Sequence, residues 1–509
     1  MNLKLVDILS NLKFSKLKIL SILTGIGLGS IGFKTLQIYL RRRKYRHIPG
    51  PKTKGILGFY IGNIVDIINL PKDKIFHDLI IQWANEYGHV FKYQLMDKIV
   101  VFTLDPEAIR EIFITQLFPK HPNVYGIIGF PLYSRFLGNG LVTDLDHSRW
   151  RHRRNLFNPS FHKKSLVGFM EEFNLKSKIL MEKFRTLADG KQMISILDEF
   201  NNMTMDIIAT VGFGMEIDSI NKDNQLKNYV FEGLRGFNRA LIDPTLKVTF
   251  SGWSFIRNYR RLVSNLRGLG KNQILSRIKL IQDGSYLIDD LLTIMLKNNQ
   301  NEQFDLEILI DDFVTFFVAG QETTANLLAA VLLEIGQKQQ IVKKIKDEID
   351  LEIGQKVDLT LEDVNKLRYL GCVIKETLRK WSIVPFMSRM NNVPFKIKNY
   401  DIPIGSNIQV SSYVSGHFEE FFPNAELFDP ERFYSNKHEI KNYTYMPFGL
   451  GARNCIGQNF GQAKAKVCLV KFFQNFEFEL DPEQSFRPIQ YSAISPASKT
   501  RCKLTIRNA

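Results

Sequence analysis

Phe448-Gly449-Leu450-Gly451-Ala452-Arg453-Asn454-Cys455-Ile456-Gly457 is the stretch on which the reading of this chain turns. A cysteine framed by glycines lets main-chain N–H groups come close to its sulfur. Those donors, with Arg453 nearby, favour a thiolate and tune its electron donation to a metal. Gln458 to Phe473 then reads as a helix whose positive end lies near that thiolate. A lone buried cysteine is usually inert packing, but packing calls for neither three glycines nor an arginine.

Working outward, three further constellations carry chemistry. Glu376-x-x-Arg379 puts an acid and a base on one face of a predicted helix, and Trp150-x-x-x-Arg154 does the same for an aromatic and a cation. By itself the first is also a plausible surface ion pair, and the basic run around Trp150 also suits solvent or nucleic acid. The third lies in a predicted helix from about Leu306 to Ile335, a rod of about 45 Å. Between Phe313 and Leu333 its only charge is Glu322, so it is apolar nearly all round. That pattern fits a buried core helix or a second membrane span. The polar group Gln321-Glu322-Thr323-Thr324 at its centre favours the core, because lipid penalises such residues.

The cysteine segment resembles the haem-binding loop of the cytochrome P450 family, Phe-x-x-Gly-x-Arg-x-Cys-x-Gly, and meets every fixed position. The resemblance implies a mainly α fold with a small β region and non-covalent haem b with Cys455 as axial iron ligand. Trp150, Arg154, Arg389 and Arg453 would cradle a haem propionate, guanidinium being suited to carboxylates. Glu376, Arg379 and Arg432 would form a buried structural triad bracing the loop. Ala319-Gly320-Gln321-Glu322-Thr323-Thr324 matches the oxygen-activation signature, with Glu322 and Thr323 organising proton delivery through water. The implied reaction inserts one oxygen atom from O2 into a C–H bond. Tyr125, Ile127, Ile128, Phe130, Phe316, Ala319, Val384 and Phe386 lie in segments that line the family's substrate pocket. His152 and His417 fit no ligand pattern.

Finer wording, including Phe313 to Gly320 and Cys455-Ile456-Gly457-Gln458, is similar to the family's animal cholesterol 24-hydroxylases, implying sterol side-chain hydroxylation. Fatty-acid or xenobiotic oxidation is the alternative, and a haem-binding sensor without turnover is the reading from another class. Ala319 stands where fatty-acid-terminal hydroxylases often carry the Glu that esterifies haem, so an ester-linked haem is not expected. After Arg379 the chain departs from the usual aromatic-Pro-Pro, reading Lys380-Trp381-Ser382-Ile383-Val384-Pro385, which leaves the nearby strand open in outline.

The rest of the chain sets the organisation. From Ile19 to Leu40 it is largely apolar and, as a helix, spans about 33 Å. Arg41-Arg42-Arg43-Lys44 then forms a basic stop. A single N-terminal membrane anchor over residues 1–44 is the reading, with an interfacial helix as the alternative. Ile48-Pro49-Gly50-Pro51 within residues 45–52 predicts a stiff hinge. Residues 53–509 form one catalytic body, with helices over 72–87, 105–116, 160–210 and much of 255–300, and short paired strands at 90–94 and 99–102.

The chain's 68 Lys and Arg against 52 Asp and Glu give a net charge of +16. No zinc-finger or helix-turn-helix signature accompanies that charge, so nucleic acid is not an expected partner. The four cysteines match no disulfide framework and fit a reducing compartment. No flavin or nicotinamide domain is visible. Electrons would come from an NADPH-dependent cytochrome P450 reductase docking on Arg149, Arg151, Arg153, Lys464 and Lys466. The implied location is the endoplasmic reticulum membrane with a cytosolic body, and Phe237 to Trp253 marks a second apolar patch that could meet lipid.

Overall fold

The computed structural model describes residues 16–247, 249–285, 289–298, 305–435 and 439–507. Helix Leu306–Ile335 runs through the middle of the main core, packed against helix Ile196–Phe213, and its bounds match the sequence reading. Asp305 starts it by accepting N–H groups of Glu307 and Ile308. Among the described residues it is the one helix long and apolar enough to cross a membrane, yet most of it is buried inside the protein. The core reading holds.

Around it lie the helices Lys163–Leu187, Phe250–Gln282, Arg368–Trp381 and Gln458–Asn475. The stretch 160–210 is interrupted, because Asp189 turns the chain by accepting the N–H groups of Lys191 and Gln192, and Gly190 adopts φ +70°. The expected helix at 105–116 begins as Pro106–Arg110, capped by Asp105, and widens to a π turn at Glu111–Thr115. That turn brings the Phe113 carbonyl against the cysteine loop, as described below.

The β structure sits to one side. Its largest sheet has the order Val90–Leu95, Lys98–Thr103, Asn407–Ser411, Phe386–Met390. The first two strands pair antiparallel with Val90 opposite Thr103, while Val100–Phe102 runs parallel to Asn407–Gln409. Ser382, at φ 38°, ends helix Arg368–Trp381 and redirects the chain into the edge strand Phe386–Met390. This settles the outline that the sequence left open.

At the N-terminal end Lys16–Lys44 is a continuous helix. Its basic end is not simply a charged stop. Arg41 pairs with Asp97 at 2.9 Å, and Arg42 donates to Gln94 Oε1 at 2.7 Å, both in the first β hairpin. The predicted hinge is docked on the same hairpin. Lys92 N–H donates to Pro49 O at 2.8 Å, and a Cβ at Gly50 would come within 1.9 Å of Lys92 O. Of the second apolar patch, Phe237 and Leu246 are buried, and Phe250 and Trp253 are its exposed large hydrophobics.

Candidate active site

The loop before helix Gln458–Asn475 is shaped by two glycines in the left-handed region, Gly449 at φ 75° and Gly451 at φ 66°. A Cβ on Gly451 would come within 2.0 Å of Phe113 O, so the π turn and the loop fit only with glycine there. Cys455 N–H donates to Phe448 O at 2.8 Å and closes the loop. Burial pushes the Cys455 thiol up, while the Gly457 N–H and the Arg154 charge pull it down. Its side chain keeps accessible surface although the residue lies deep in the protein.

The central helix also has an accessible stretch. Its buried face is broken at Val318, Ala319, Gly320, Glu322 and Thr323, midway along an otherwise buried rod. Helix Gln458–Asn475 lies against this turn, with Lys464 Nζ donating to Gly320 O at 2.7 Å. The helix that follows the cysteine loop thus touches the accessible turn directly. Thr323 Oγ1 donates to Ala319 O at 2.8 Å. Glu322 turns away toward the carboxy-terminal hairpin, accepting from Ser492 Oγ at 2.9 and 3.0 Å. Burial pushes the Glu322 carboxyl up to about 7, and the Ser492 hydroxyl opposes that shift. Gly320 serves helix packing, since a Cβ there would approach Ile208 at 2.8 Å.

One edge of the loop is lined by cations that lack carboxylate partners. Lys120 is buried, donates to Val142 O and lies 4.5 Å from the centre of the Tyr125 ring. Arg389 sits over Phe113 at 4.6 Å, with Tyr125 Oη 3.4 Å from its Nη1. Arg453 lies over the Trp150 ring at 4.0 Å and donates to the Asp144 main chain at 2.8 Å. None of the three has an ion pair among the described residues, and the Asp144 carboxylate is taken by Arg149 and Arg153. Burial and then Arg389 push Lys120 well below an ordinary amine, and the same two causes bring Arg453 to about 10. Arg389 and Arg453 line a cleft of about 230 Å3 together with Phe113, Phe118 and His147. Such a cluster has the donors and charge that suit an anion with several oxygens.

The Cytochrome P450 family model matches residues 51–504. The chain belongs to the cytochrome P450 family. Cytochrome P450 4d2 of Drosophila melanogaster is 27% identical over 483 residues, covering 89% of this chain and 93% of that protein. Cytochrome P450 3A16 of Mus musculus is 27% identical over 454 residues, covering 86% of each. Cytokinin hydroxylase of Arabidopsis thaliana is 28% identical over 482 residues, covering 88% of this chain and 89% of that protein. The chain is therefore a cytochrome P450 monooxygenase whose family cofactor is haem iron.

The residues fit that cofactor. Cys455 offers an accessible sulfur suited to an iron ligand, and Lys120, Arg389 and Arg453, without ion pairs among the described residues, suit propionate carboxylates. Lys120 is the member that the sequence reading missed. The other two expected cradle residues also have protein partners. Arg154 donates to Asn454 O at 2.8 Å and Asn454 Oδ1 at 3.0 Å. Trp150 supports Arg453.

The expected triad is assembled and buried. Both Arg379 Nε and Nη2 donate to Glu376 at 2.8 Å, and Arg432 Nε lies 3.4 Å from the same carboxylate. Its further bonds run to Gly416 O, Leu427 O and Asn424 O, and Glu376 accepts from Asp429 N–H. The network thus ties its helix to the 416–432 meander, and none of these bonds reaches the cysteine loop.

Of the expected pocket residues, Ala319 lies at the accessible turn, Ile127, Phe130 and Val384 are exposed, Phe386 is half-buried, and Ile128 packs on the main core. Two are corrected. Tyr125 belongs to the cation cluster, and Phe316 is turned into the core, 4.8 Å from the Phe157 ring. The expected basic docking face also shrinks. Arg153 is buried between Asp144 and Asp312, Lys464 is wholly buried, and Lys466 donates to Val364 O and Leu367 O. Arg149 and Arg151 remain exposed. His417 is structural, stacked on Tyr413 at 4.2 Å and pushed down to about 4 by burial.

Proposed function

We propose that this P450 uses non-covalent haem and electrons from an NADPH-dependent cytochrome P450 reductase to hydroxylate the side chain of a sterol-sized apolar molecule. The observation that carries the apolar part is the accessible, uncharged turn at Val318, Ala319 and Gly320, which the helix after the Cys455 loop touches through Lys464. An apolar lining favours apolar ligands. It does not separate a steroid from an alkyl chain, because discrimination by single methylenes is weak. The sterol preference rests on the resemblance to cholesterol 24-hydroxylases and on Ala319.

Bound haem supplies the redox chemistry that inserts one atom of O2 into a C–H bond and releases the other as water. Cys455 would hold the iron, while Lys120, Arg389 and Arg453 would hold the propionates and so orient the cofactor. Thr323 Oγ1, which rests on Ala319 O, can swing to a water and pass it a proton. Glu322, near neutral in pKa and bonded to Ser492 Oγ, is suited to take up and hand on protons at the far end of that path.

The N-terminal helix exposes Ile31, Phe33, Leu36, Tyr39 and Leu40, a surface suited to lipid, and the single-pass anchor rests on the apolar run from Ile19 to Leu40, although Lys16–Lys44 as a whole is less apolar than Leu306–Ile335. With the exposed Phe250 and Trp253 it supports contact with lipid and an endoplasmic reticulum location with a cytosolic body. The anchor at 1–44, hinge at 45–52 and body at 53–509 remain the proposed division. Competitive turnover of cholesterol and lauric acid by the full chain with a microsomal reductase tests the reading. A sterol hydroxylated on its side chain as the dominant product supports it. Efficient fatty-acid hydroxylation without sterol turnover overturns the substrate and leaves the haem chemistry. Cys455→Ala should abolish the thiolate-type spectrum of the ferrous carbonyl adduct.

A further inference from the structure

Three successive carbonyls of the accessible turn each take a side-chain donor. Thr323 Oγ1 donates to Ala319 O at 2.8 Å, Lys464 Nζ to Gly320 O at 2.7 Å, and Thr204 Oγ1 to Gln321 O at 3.0 Å. The donors come from the helix itself, from helix Gln458–Asn475 and from helix Ile196–Phe213. A mid-helix carbonyl has no vacancy that demands this, since the N–H four residues on already serves it. A second donor uses the other lone pair and draws the oxygen away from the helix axis.

Lys464 is the unusual member. Its side chain has no accessible surface, and no carboxylate among the described residues is within ion-pair distance. Its near neighbours are the Phe460 ring, 5.3 Å from Nζ, and the Cys468 thiol. Burial without a counter-charge is costly and lowers Lys464 to about 7. Two other lysines of the same helix give a useful contrast. Lys466 donates to Val364 O and Leu367 O where helix Leu361–Lys366 ends, and Lys471 donates to Val357 O in a loop. Those carbonyls lack helical partners, and a lysine there acts as an ordinary cap. Gly320 O is in the middle of the longest-buried helix in the molecule, directly beside the turn that carries Thr323.

We infer that Lys464 is a positioning residue for oxygen activation, holding the Gly320 carbonyl tilted outward so that the turn keeps the width at which Thr323 Oγ1 and a water reach the haem face. The opposite side of the turn is already fixed, since Gly320 abuts Ile208 and Thr204 holds the next carbonyl. Lys464 therefore sets the remaining degree of freedom. This inference rests on the proposed role of Thr323 in proton delivery.

The test compares Lys464→Met, which keeps an unbranched stem and loses the donor, with Lys464→Arg, which keeps a donor, and with Thr323→Ala. Each is made in the full chain and loaded with haem. The readouts are peroxide released per NADPH with cholesterol and with lauric acid as probes, and backbone hydrogen exchange over residues 319–325. Oxidation of a phenylenediamine dye by cumene hydroperoxide, which needs haem but no proton relay, is the control. Lys464→Met should raise peroxide release and exchange about fivefold, the scale of one lost buried hydrogen bond, and leave dye oxidation unchanged. Lys464→Arg should restore both toward the parent. Uncoupling by Thr323→Ala with parental coupling and exchange in Lys464→Met overturns the inference. Parental coupling in Thr323→Ala overturns the relay reading instead. Should Lys464→Met fail to take up haem, Lys464→Gln, whose amide falls short of Gly320 O, is measured the same way, and parental values there overturn the inference.

Discussion

Two of the groups of positive charge inside this protein are finished differently. Around Glu376 every guanidinium is met by a carboxylate or a carbonyl, and only Arg432 Nε, 3.4 Å from Glu376, is left without a hydrogen bond in this closed set. Beside the cysteine loop Lys120, Arg389 and Arg453 face one another with main-chain oxygens and aromatic rings as their partners. A closed set stabilises the fold only as long as every member stays. An open set is under electrostatic tension until an anion arrives. The difference separates architecture from receptor without appeal to any bound molecule.

The closed set should break hardest. Glu376→Ala leaves Arg379 and Arg432 buried and uncompensated, and should cost about 3–5 kcal/mol, read as a lowered urea midpoint with loss of haem. Parental stability in that variant would remove the distinction altogether.

Glu322 is a third kind of buried charge, a carboxyl with a hydroxyl for company and no cation. Its folded pKa is raised from 4.5 to about 7, so the unfolded chain gives up its proton first. The stability it contributes is present below about pH 4.5 and is lost as pH rises through about 7. Glu322→Gln lacks this loss. Relative to the parent it should gain about 2–3 kcal/mol between pH 4 and pH 8, measured as denaturant midpoints at both ends.

Lys120→Met sharpens the comparison through a change of sign. Removing a charge from the open set should stabilise the haem-free protein by about 1 kcal/mol and weaken haem retention roughly tenfold. Thermal melts of the haem-free protein and the rate of haem transfer to an acceptor globin report the two effects. A loss of stability in the haem-free form would place Lys120 with the architectural charges. The smallest effect belongs to a charge in neither set. Arg151→Glu should change stability by less than about 0.5 kcal/mol. It should raise the reductase concentration needed for half-maximal NADPH oxidation at low salt, with the difference fading at high salt.

How far the sequence could be read depended on where the determining interactions lay. Helix Leu306–Ile335 was readable to its ends because an all-round apolar run with one interior charge has few other uses. The cysteine loop was readable because its glycines are demanded by backbone geometry within ten residues. The Glu376–Arg379 pair followed from helical spacing. Lys120 was not readable, since a lysine before His121-Pro122 looks like any surface loop until the sheet folds Arg389 beside it. Ser492 met Glu322 across 170 residues, a distance no local pattern spans. Lys464 and Lys466 sit in Gln-Ala-Lys-Ala-Lys, a composition that reads as a solvated face, and both turn inward. Phe316 shares the central helix with Ala319, and its path into the core depends on Phe157 and Phe161 from elsewhere in the chain.

The grip of Arg41 on Asp97 and of Arg42 on Gln94 bears on how this enzyme is trimmed for study. A cut after Lys44 looks natural on paper, yet it would strip both guanidiniums from the first hairpin and lift Ile38, 2% exposed, out of its seat. The N-terminal helix is fastened to the body like the shaft of a lever to its fulcrum. Shortened forms should therefore begin upstream of Lys34, which also pairs with Asp97 at 3.2 Å. Whatever plane receives the helix then fixes the tilt at which the whole catalytic body is presented to it.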